Sequence, residues 1–271
     1  MSLTSFLQIS NVRAEFAKTF QFKAPKLSAE LLAPPQTKHY SLIGTAFDYL
    51  LRFHIERLNP DTLRSIWIAE LGVVMTKKQP EEYYKLKAII DVIQSGPYSD
   101  YIQTGNLSES LFASTIVLAK LDMIYRIGRL EPNIMDYQNE DILDLKNLIS
   151  IVDDSLFKSK IFCALNPGFG NASLLVGGAD ADMISDDTLI DIKTTKNLKF
   201  ERDPYNQLIG YYILNKIGYV DGMNRKIDKI GIYFSRHGIL QTIPTSQIDE
   251  NPEFDYFVKW FEKEAITVFM N

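Results

Sequence analysis

The chain has 271 residues, 46% of them hydrophobic, a net charge of -5 and a single cysteine. That composition supports one large hydrophobic core, and it excludes an intramolecular disulfide framework and any zinc or iron–sulfur site built on several cysteines of one chain. It also excludes a uniformly basic coat for nucleic acid, leaving room only for a local basic groove.

No apolar run approaches the roughly 18–20 residues that cross a bilayer, and "MSLTSFLQISNVRAEF" lacks a basic stretch followed by an apolar block, so a cytoplasmic location is expected. The first clear element is "SLIGTAFDYLLRFHIERL", residues 41–58. Ile43, Phe47, Leu50, Leu51, His54 and Leu58 recur there at helical spacing after a possible Ser41 cap, and Asn59-Pro60 ends the run. Residues 1–58 are therefore read as an N-terminal segment plus the first core helix.

Residues 59–159 read as a helical insertion. "EEYYKLKAIIDVIQ", "SESLFASTIVLAKLDMIYRI" and "DILDLKNLISIV" carry helical periodicity, with loops at "SGPYSD" and "LEPN". This block shows core-type periodicity and no recognisable chemistry.

From residue 160 to 271 the text becomes mixed. "KIFCALNPGFG" and "NASLLVGGADADMIS" read as strands around a Pro-Gly turn, and "TLIDIKTT" reads as the return strand of a hairpin. "DPYNQLIGYYILNKIGY" reads as a helix with Asp203 as cap, Pro204 in the first turn and Gly218 at its end. "KIGIYFSRHGILQTIP" is a second hairpin turning at Gly238, and residues 252–269 form a terminal helix with Phe254, Phe257, Val258 and Phe261 on one face. The order predicts an α/β (α+β) core with a helical arm.

The charge in the first hairpin demands an explanation, because Asp and Lys are poor strand residues and costly to bury. With Asp186-Asp187 as a two-residue turn, Met183 pairs with Ile190, Asp182 faces Asp191, and Asp180 falls opposite Lys193. Period-two alternation puts all four charged side chains on one side. Opposed carboxylates repel unless a cation lies between them, and a hard divalent ion, Mg²⁺ or Mn²⁺, suits all-oxygen ligands. A lysine beside the pair can position an attacking water and stabilise its deprotonated form, as phosphodiester hydrolysis requires.

These residues resemble the PD-(D/E)xK nuclease superfamily. "GADAD" followed by "LIDIKTT" looks like its acidic strand and (D/E)xK triplet. "QLIGY", Gln207 to Tyr211, resembles the QxxxY motif of the RecB-like branch, and "GTAFDYLL" resembles that branch's Gly-Thr-x-x-His helix with Asp48 in place of histidine. The resemblance covers 44–51 and 177–211 in the family order. It implies a restriction-endonuclease-like core, a mixed central sheet flanked by helices, and a Mg²⁺- or Mn²⁺-dependent nuclease acting on DNA, less often RNA. Asp182, Asp191, Lys193, Gln207 and Tyr211 would be catalytic. Asp48, Asp182 and Asp191 would ligate metal, with Asp180 as an alternative ligand.

Elementary chemistry accompanies each position. Asp48 lies on the stripe of Gly44, Leu51 and Ile55, where it either completes a metal shell or pairs with Arg52 one turn on. Gln207 and Tyr211 share a helix face and could brace the hairpin carboxylates or bond a nucleic-acid backbone. Lys196, Lys199 and Arg202 could supply the basic patch. His54, on the apolar face of its helix, reads as a core histidine. The helical insertion could close over substrate or bind a protein partner. Two other functions fit the same text: an inactive nuclease-fold binding protein, and a metal-dependent hydrolase of a small phosphorylated substrate.

Overall fold

The structure is a computed structural model and describes residues 2–269. Its helices in chain order are α1 Leu3–Leu7, α2 Ser10–Thr19, α3 Tyr40–Leu58, α4 Ile68–Met75, α5 Pro80–Ile93, α6 Ser99–Thr104, α7 Glu109–Ile127, α8 Asn139–Ser150, α9 Asn171–Leu175, α10 Arg202–Gly218, α11 Ser246–Asp249 and α12 Phe254–Phe269. The strands are β1 Leu63–Arg64, β2 Cys163–Leu165, β3 Met183–Ser185, β4 Thr188–Lys193, β5 Lys229–Phe234 and β6 Ile239–Pro244. They form one mixed six-stranded sheet in the order β1-β2-β3-β4-β5-β6, with β1–β2 and β4–β5 parallel and the other pairs antiparallel. The protein is thus α/β. Among the described residues no helix is long and apolar enough to cross a membrane.

The sheet has two apolar faces because its strands alternate with period two. Met183, Ile190, Ile192 and Tyr233 join α3 and helices α4 to α8 in one core. Ile184, Leu189, Ile230, Ile232 and Phe234 join α1, α2, α10 and α12 in the other. Burial on both faces explains why β4 reads as a nearly continuous apolar run interrupted by charge.

Residues 59–159 are therefore a layer of the domain and not a detached arm. α3 packs against α6, α7 and α8, and β1 comes from this stretch to join the sheet edge. A fully buried ion pair at 2.7 Å, Asp144 of α8 with Arg236 of the β5–β6 connection, ties this layer to the sheet. Arg236 also donates to the Ala33 carbonyl, fixing the segment before α3.

Several local expectations change. "NASLL" is the short helix α9 and not a strand, so the strand leading to the hairpin is only β3. "SGPY" continues the helical path through a π turn at Gln94–Tyr98 into α6, since Pro97 cannot donate a backbone bond and the widened turn accommodates it. α3 begins at Tyr40 without a side-chain cap from Ser41, and α10 begins at Arg202 with Asp203 inside its first turn, where its carboxylate meets Arg13 at 3.4 Å. The N-terminal helices α1 and α2 carry no strong sequence signal. Their Phe6 and Phe16 are fully buried against Phe261 and Phe257 of α12, so tertiary packing forms them.

α10 is buried from Leu208 to Asn215, because it lies between the sheet and the helices α1 and α9. Gly218 closes α10 for a packing reason: a Cβ there would stand 2.1 Å from the Phe169 carbonyl and 2.6 Å from the Ala172 Cβ, and the left-handed residue is the next one, Tyr219. Gly218→Ala should therefore cost about 1–3 kcal/mol in urea denaturation through overpacking. Gly96→Ala, at a site with nothing within 4 Å, should be neutral or slightly stabilising. Equal stability of the two variants would contradict this account of α10 packing.

Candidate active site

The hairpin register is set by its turn. Asp186 adopts φ 51°, a left-handed conformation that Asp tolerates, and its carboxylate accepts bonds from the backbone N–H groups of Lys160, Ile161 and Phe162. Ser185, Ile184 and Met183 then pair with Thr188, Leu189 and Ile190. One rung on, Asp182 Oδ2 accepts a 2.6 Å bond from the Ile192 N–H, which holds this carboxylate against β4 beside Asp191.

On β4, Leu189 belongs to the α10-side core and Ile190 and Ile192 to the α3-side core. Alternation places Asp191 and Lys193 on the α10 side. There Lys193 Nζ stands 2.8 Å from Asp191 Oδ2 and donates to Gln207 Oε1 at 3.3 Å. The Asp191 contact is a charge contact and not a well-directed hydrogen bond. Gln207 Nε2 donates to the Tyr211 hydroxyl at 2.9 Å, and Tyr211 stacks on Phe169 with ring centroids 5.8 Å apart. The four-residue spacing of Gln207 and Tyr211 makes this continuous side-chain chain possible.

α3 approaches the end of β4 at Gly44, where an added Cβ would contact Thr194 at 4.0 Å. One turn later, Asp48 Oδ2 accepts a bond from Arg52 Nη2, so the ion pair read as one alternative is formed. Arg52 Nη1 also donates to Asn166 Oδ1, and its guanidinium lies 4.5 Å from the centre of the Tyr49 ring. Asp48 Oδ1 is buried with no hydrogen-bond partner among the described residues. Sequence reasoning missed Asn166. Its only signal was the Asn-Pro-Gly turn, which says nothing about a neighbour 114 residues earlier.

The electrostatics follow from burial of like charges. Burial raises the Asp48 carboxyl to about 6, with Arg52 opposing the shift and Asp182 adding to it. Burial and then the Asp191 charge raise Asp182 to about 6, against Lys193 and the Ile192 bond. Asp191 is also raised by burial, with Lys193 resisting. Burial works against the Lys193 ammonium, but Asp191 and Asp182 outweigh it and leave its pKa raised, so the lysine stays charged. Burial and the neighbouring carboxylates push the Tyr211 hydroxyl well above the usual tyrosine range. Asp48, Asp182, Asp191 and Lys193 act on one another as a single charge cluster.

Two expected members stand apart. Asp180 does not face Lys193. The chain at 166–168 pairs with 180–182, through Asn166 N–H to Asp182 O at 3.0 Å and a bridge between Gly168 and Asp180. The Asp180 and Asp221 carboxylates therefore gather at Gly168. Arg202 is also diverted: it donates to the Phe16 carbonyl at 2.8 Å and lies over Phe22, so it ties α10 to the N-terminal segment. Lys196 and Lys199 are exposed after β4. His54 is enclosed by Tyr101 and Asp154, each at 2.7 Å, as a structural histidine would be.

The donor set at Asp48, Asp182 and Asp191 is all oxygen, and Asp48 Oδ1 is buried and unclaimed, which fits a hard divalent cation. Among the described residues no three His, Cys, Asp or Glu side chains are close enough to form a metal-holding group. The residues thus fit a partial shell of one or two carboxylates, of the kind Mg²⁺ completes with water and phosphate oxygens. No family model matches this chain, and comparisons with curated proteins and with solved structures return no match.

Raised carboxyls make the cation-free protein pH-sensitive in a defined direction. Asp48 and Asp182 have an ordinary value of 3.8 and a folded value of about 6. Between those values the folded state holds more protons than the unfolded chain, so their contribution is fully present below about pH 4 and is lost as pH rises through 6. In EDTA, Asp182→Asn should gain on the order of 2 kcal/mol relative to wild type between pH 4 and pH 7. Denaturation midpoints at a series of pH values measure this, and parallel curves would contradict it.

Proposed function

We propose that this chain is a divalent-cation-dependent nuclease with a restriction-endonuclease-like core, hydrolysing phosphodiester bonds of DNA by a RecB-like PD-(D/E)xK mechanism. The observation that carries this reading is the Asp182–Asp191 pair with Lys193 beside it and Gln207 and Tyr211 in a continuous chain behind.

The roles follow from the contacts. Asp182 and Asp191 are the residues that would hold Mg²⁺ or Mn²⁺ as a two-carboxylate partial shell, with the Asp48 charge acting on the pair from α3. When bound, such an ion supplies Lewis-acid polarisation of a phosphate oxygen and a nucleophile at neutral pH. Lys193 remains an ammonium at the end of β4, where it can donate to the attacking water and stabilise negative charge developing at phosphorus. Gln207 accepts from Lys193 and so limits where that ammonium can point. Tyr211 receives the other end of Gln207 and, being buried, stays neutral and keeps the chain in place.

Polyanion binding would draw on the exposed Lys196 and Lys199, which follow the catalytic strand directly. A hydrolase of small phosphorylated compounds has no use for these two positions, so the salt dependence of binding separates the two activities.

Incubation with linear, circular and single-stranded DNA and with RNA, each with Mg²⁺, Mn²⁺ or EDTA, should show cation-dependent cleavage of DNA. Lys193→Ala should lower the rate by about 100-fold or more while leaving Mn²⁺ affinity largely intact. Equal loss of both would assign the lysine a structural role. In Ca²⁺, chosen to support binding without cutting, each of Lys196→Ala and Lys199→Ala should flatten the plot of log affinity for duplex DNA against log salt by about one unit. Unchanged slopes would remove those lysines from the interface, and no binding of DNA or RNA at low salt would sink the nuclease reading.

A further inference from the structure

Arg52 is buried, and a buried cation needs partners for its planar donor fork. Its partners come from two different parts of the chain. Nη2 donates to Asp48 Oδ2 one helical turn earlier, and Nε donates to the Asp48 backbone carbonyl at 3.2 Å. Nη1 crosses to Asn166 Oδ1, just beyond β2. The Tyr49 ring lies against the guanidinium, leaving it little freedom to rotate.

Asn166 is itself tied to the hairpin. Its backbone N–H donates to the Asp182 carbonyl at 3.0 Å, and Asp182 in turn accepts from Ile192 on β4. A continuous path therefore runs from Asp48 through Arg52 and Asn166 to Asp182 and, through the Ile192 N–H, to β4. Without it, Asp48 would sit on a helix belonging to one core and Asp182–Asp191 on strands facing the other.

We infer that Arg52 is a positioning residue for the cation site: it claims one oxygen of Asp48, leaves the other free, and through Asn166 fixes α3 against the hairpin so that the Asp48 charge is set beside the Asp182–Asp191 pair before a cation arrives. The inference rests on the proposed function, since it assumes that the carboxylates bind a divalent ion.

The test is calorimetric titration of Mn²⁺ into the full chain, without nucleic acid, for wild type, Arg52→Gln, Arg52→Lys, Asn166→Gly, Asp48→Asn and the double variant Asp48→Asn/Arg52→Gln. Asn166 has φ 49°, which glycine adopts freely, so Asn166→Gly deletes one end of the tether with the backbone kept. Arg52→Gln should weaken Mn²⁺ binding about 10–100-fold, as losing a partner behind a metal ligand does. Asn166→Gly should weaken it less, in the same direction, and Arg52→Lys should recover part of the loss. In the Asp48→Asn background, Arg52→Gln should have little further effect, because its path through Asp48 is already cut.

Wild-type affinity in both Arg52→Gln and Asn166→Gly would overturn the inference, as would full additivity in the double variant. Lower melting temperatures with unchanged affinity would also overturn it, by assigning Arg52 to stability alone. If Arg52→Gln does not fold, Asn166→Gly decides the matter. A wild-type chain that binds no Mn²⁺ would instead overturn the proposed function itself, and this inference with it.

Discussion

The constraint on which the site depends is the confinement of two carboxylates side by side in a protein interior. Asp182 and Asp191 repel, and burial makes each harder to ionise than an exposed carboxylate. The surrounding groups reduce that cost in different ways. Lys193 offers an opposite charge at 2.8 Å, and the Ile192 N–H offers Asp182 a hydrogen bond. Gln207 and Tyr211 hold the lysine from behind. On the proposed function, a doubly charged ion would relieve the repulsion that remains, a penalty already present in the fold.

The architecture serves this arrangement on both sides of the sheet. α10 is buried along most of its length, so its Gln207 and Tyr211 have little freedom to drift from β4. α3 reaches the same strand end from the opposite core, with Gly44 against Thr194 and Asp48 one turn further on. A helix buried among α6, α7 and α8 can carry a charged residue at its inner edge only if that residue has a local partner, and Arg52 is that partner. The helices of residues 59–159 thus act on the site indirectly, by fixing α3.

The hairpin shows how a small turn can set chemistry several residues away. Asp186 caps the connection before β2 with its carboxylate while adopting the left-handed backbone of the turn. That fixes the pairing of Met183 with Ile190, beyond which Asp182 bonds the Ile192 N–H and feels the Asp191 charge. A slip of one residue would turn the charged side chains of β4 into the other core, where no lysine–glutamine chain waits for them.

The sequence by itself determined the elements whose signals are local. These are the period of α3, α7 and α10, the β5–β6 hairpin turning at Gly238, the two-residue turn between β3 and β4, and from it the pairing of Met183 with Ile190. Alternation along β4 also made Lys193 the neighbour of Asp191, and the spacing of Gln207 and Tyr211 put both on one face. Only the tertiary structure decided the rest. It sent Asp180 to Asp221 and Arg202 to Phe16, made α1 and α2 helical against α12, merged residues 59–159 with the core, and brought Asn166 to Arg52. The division has a physical cause: backbone periodicity and turn geometry act over a few residues and are written in the order of side chains. Which buried charge meets which partner depends on layers that pack together from distant parts of the chain.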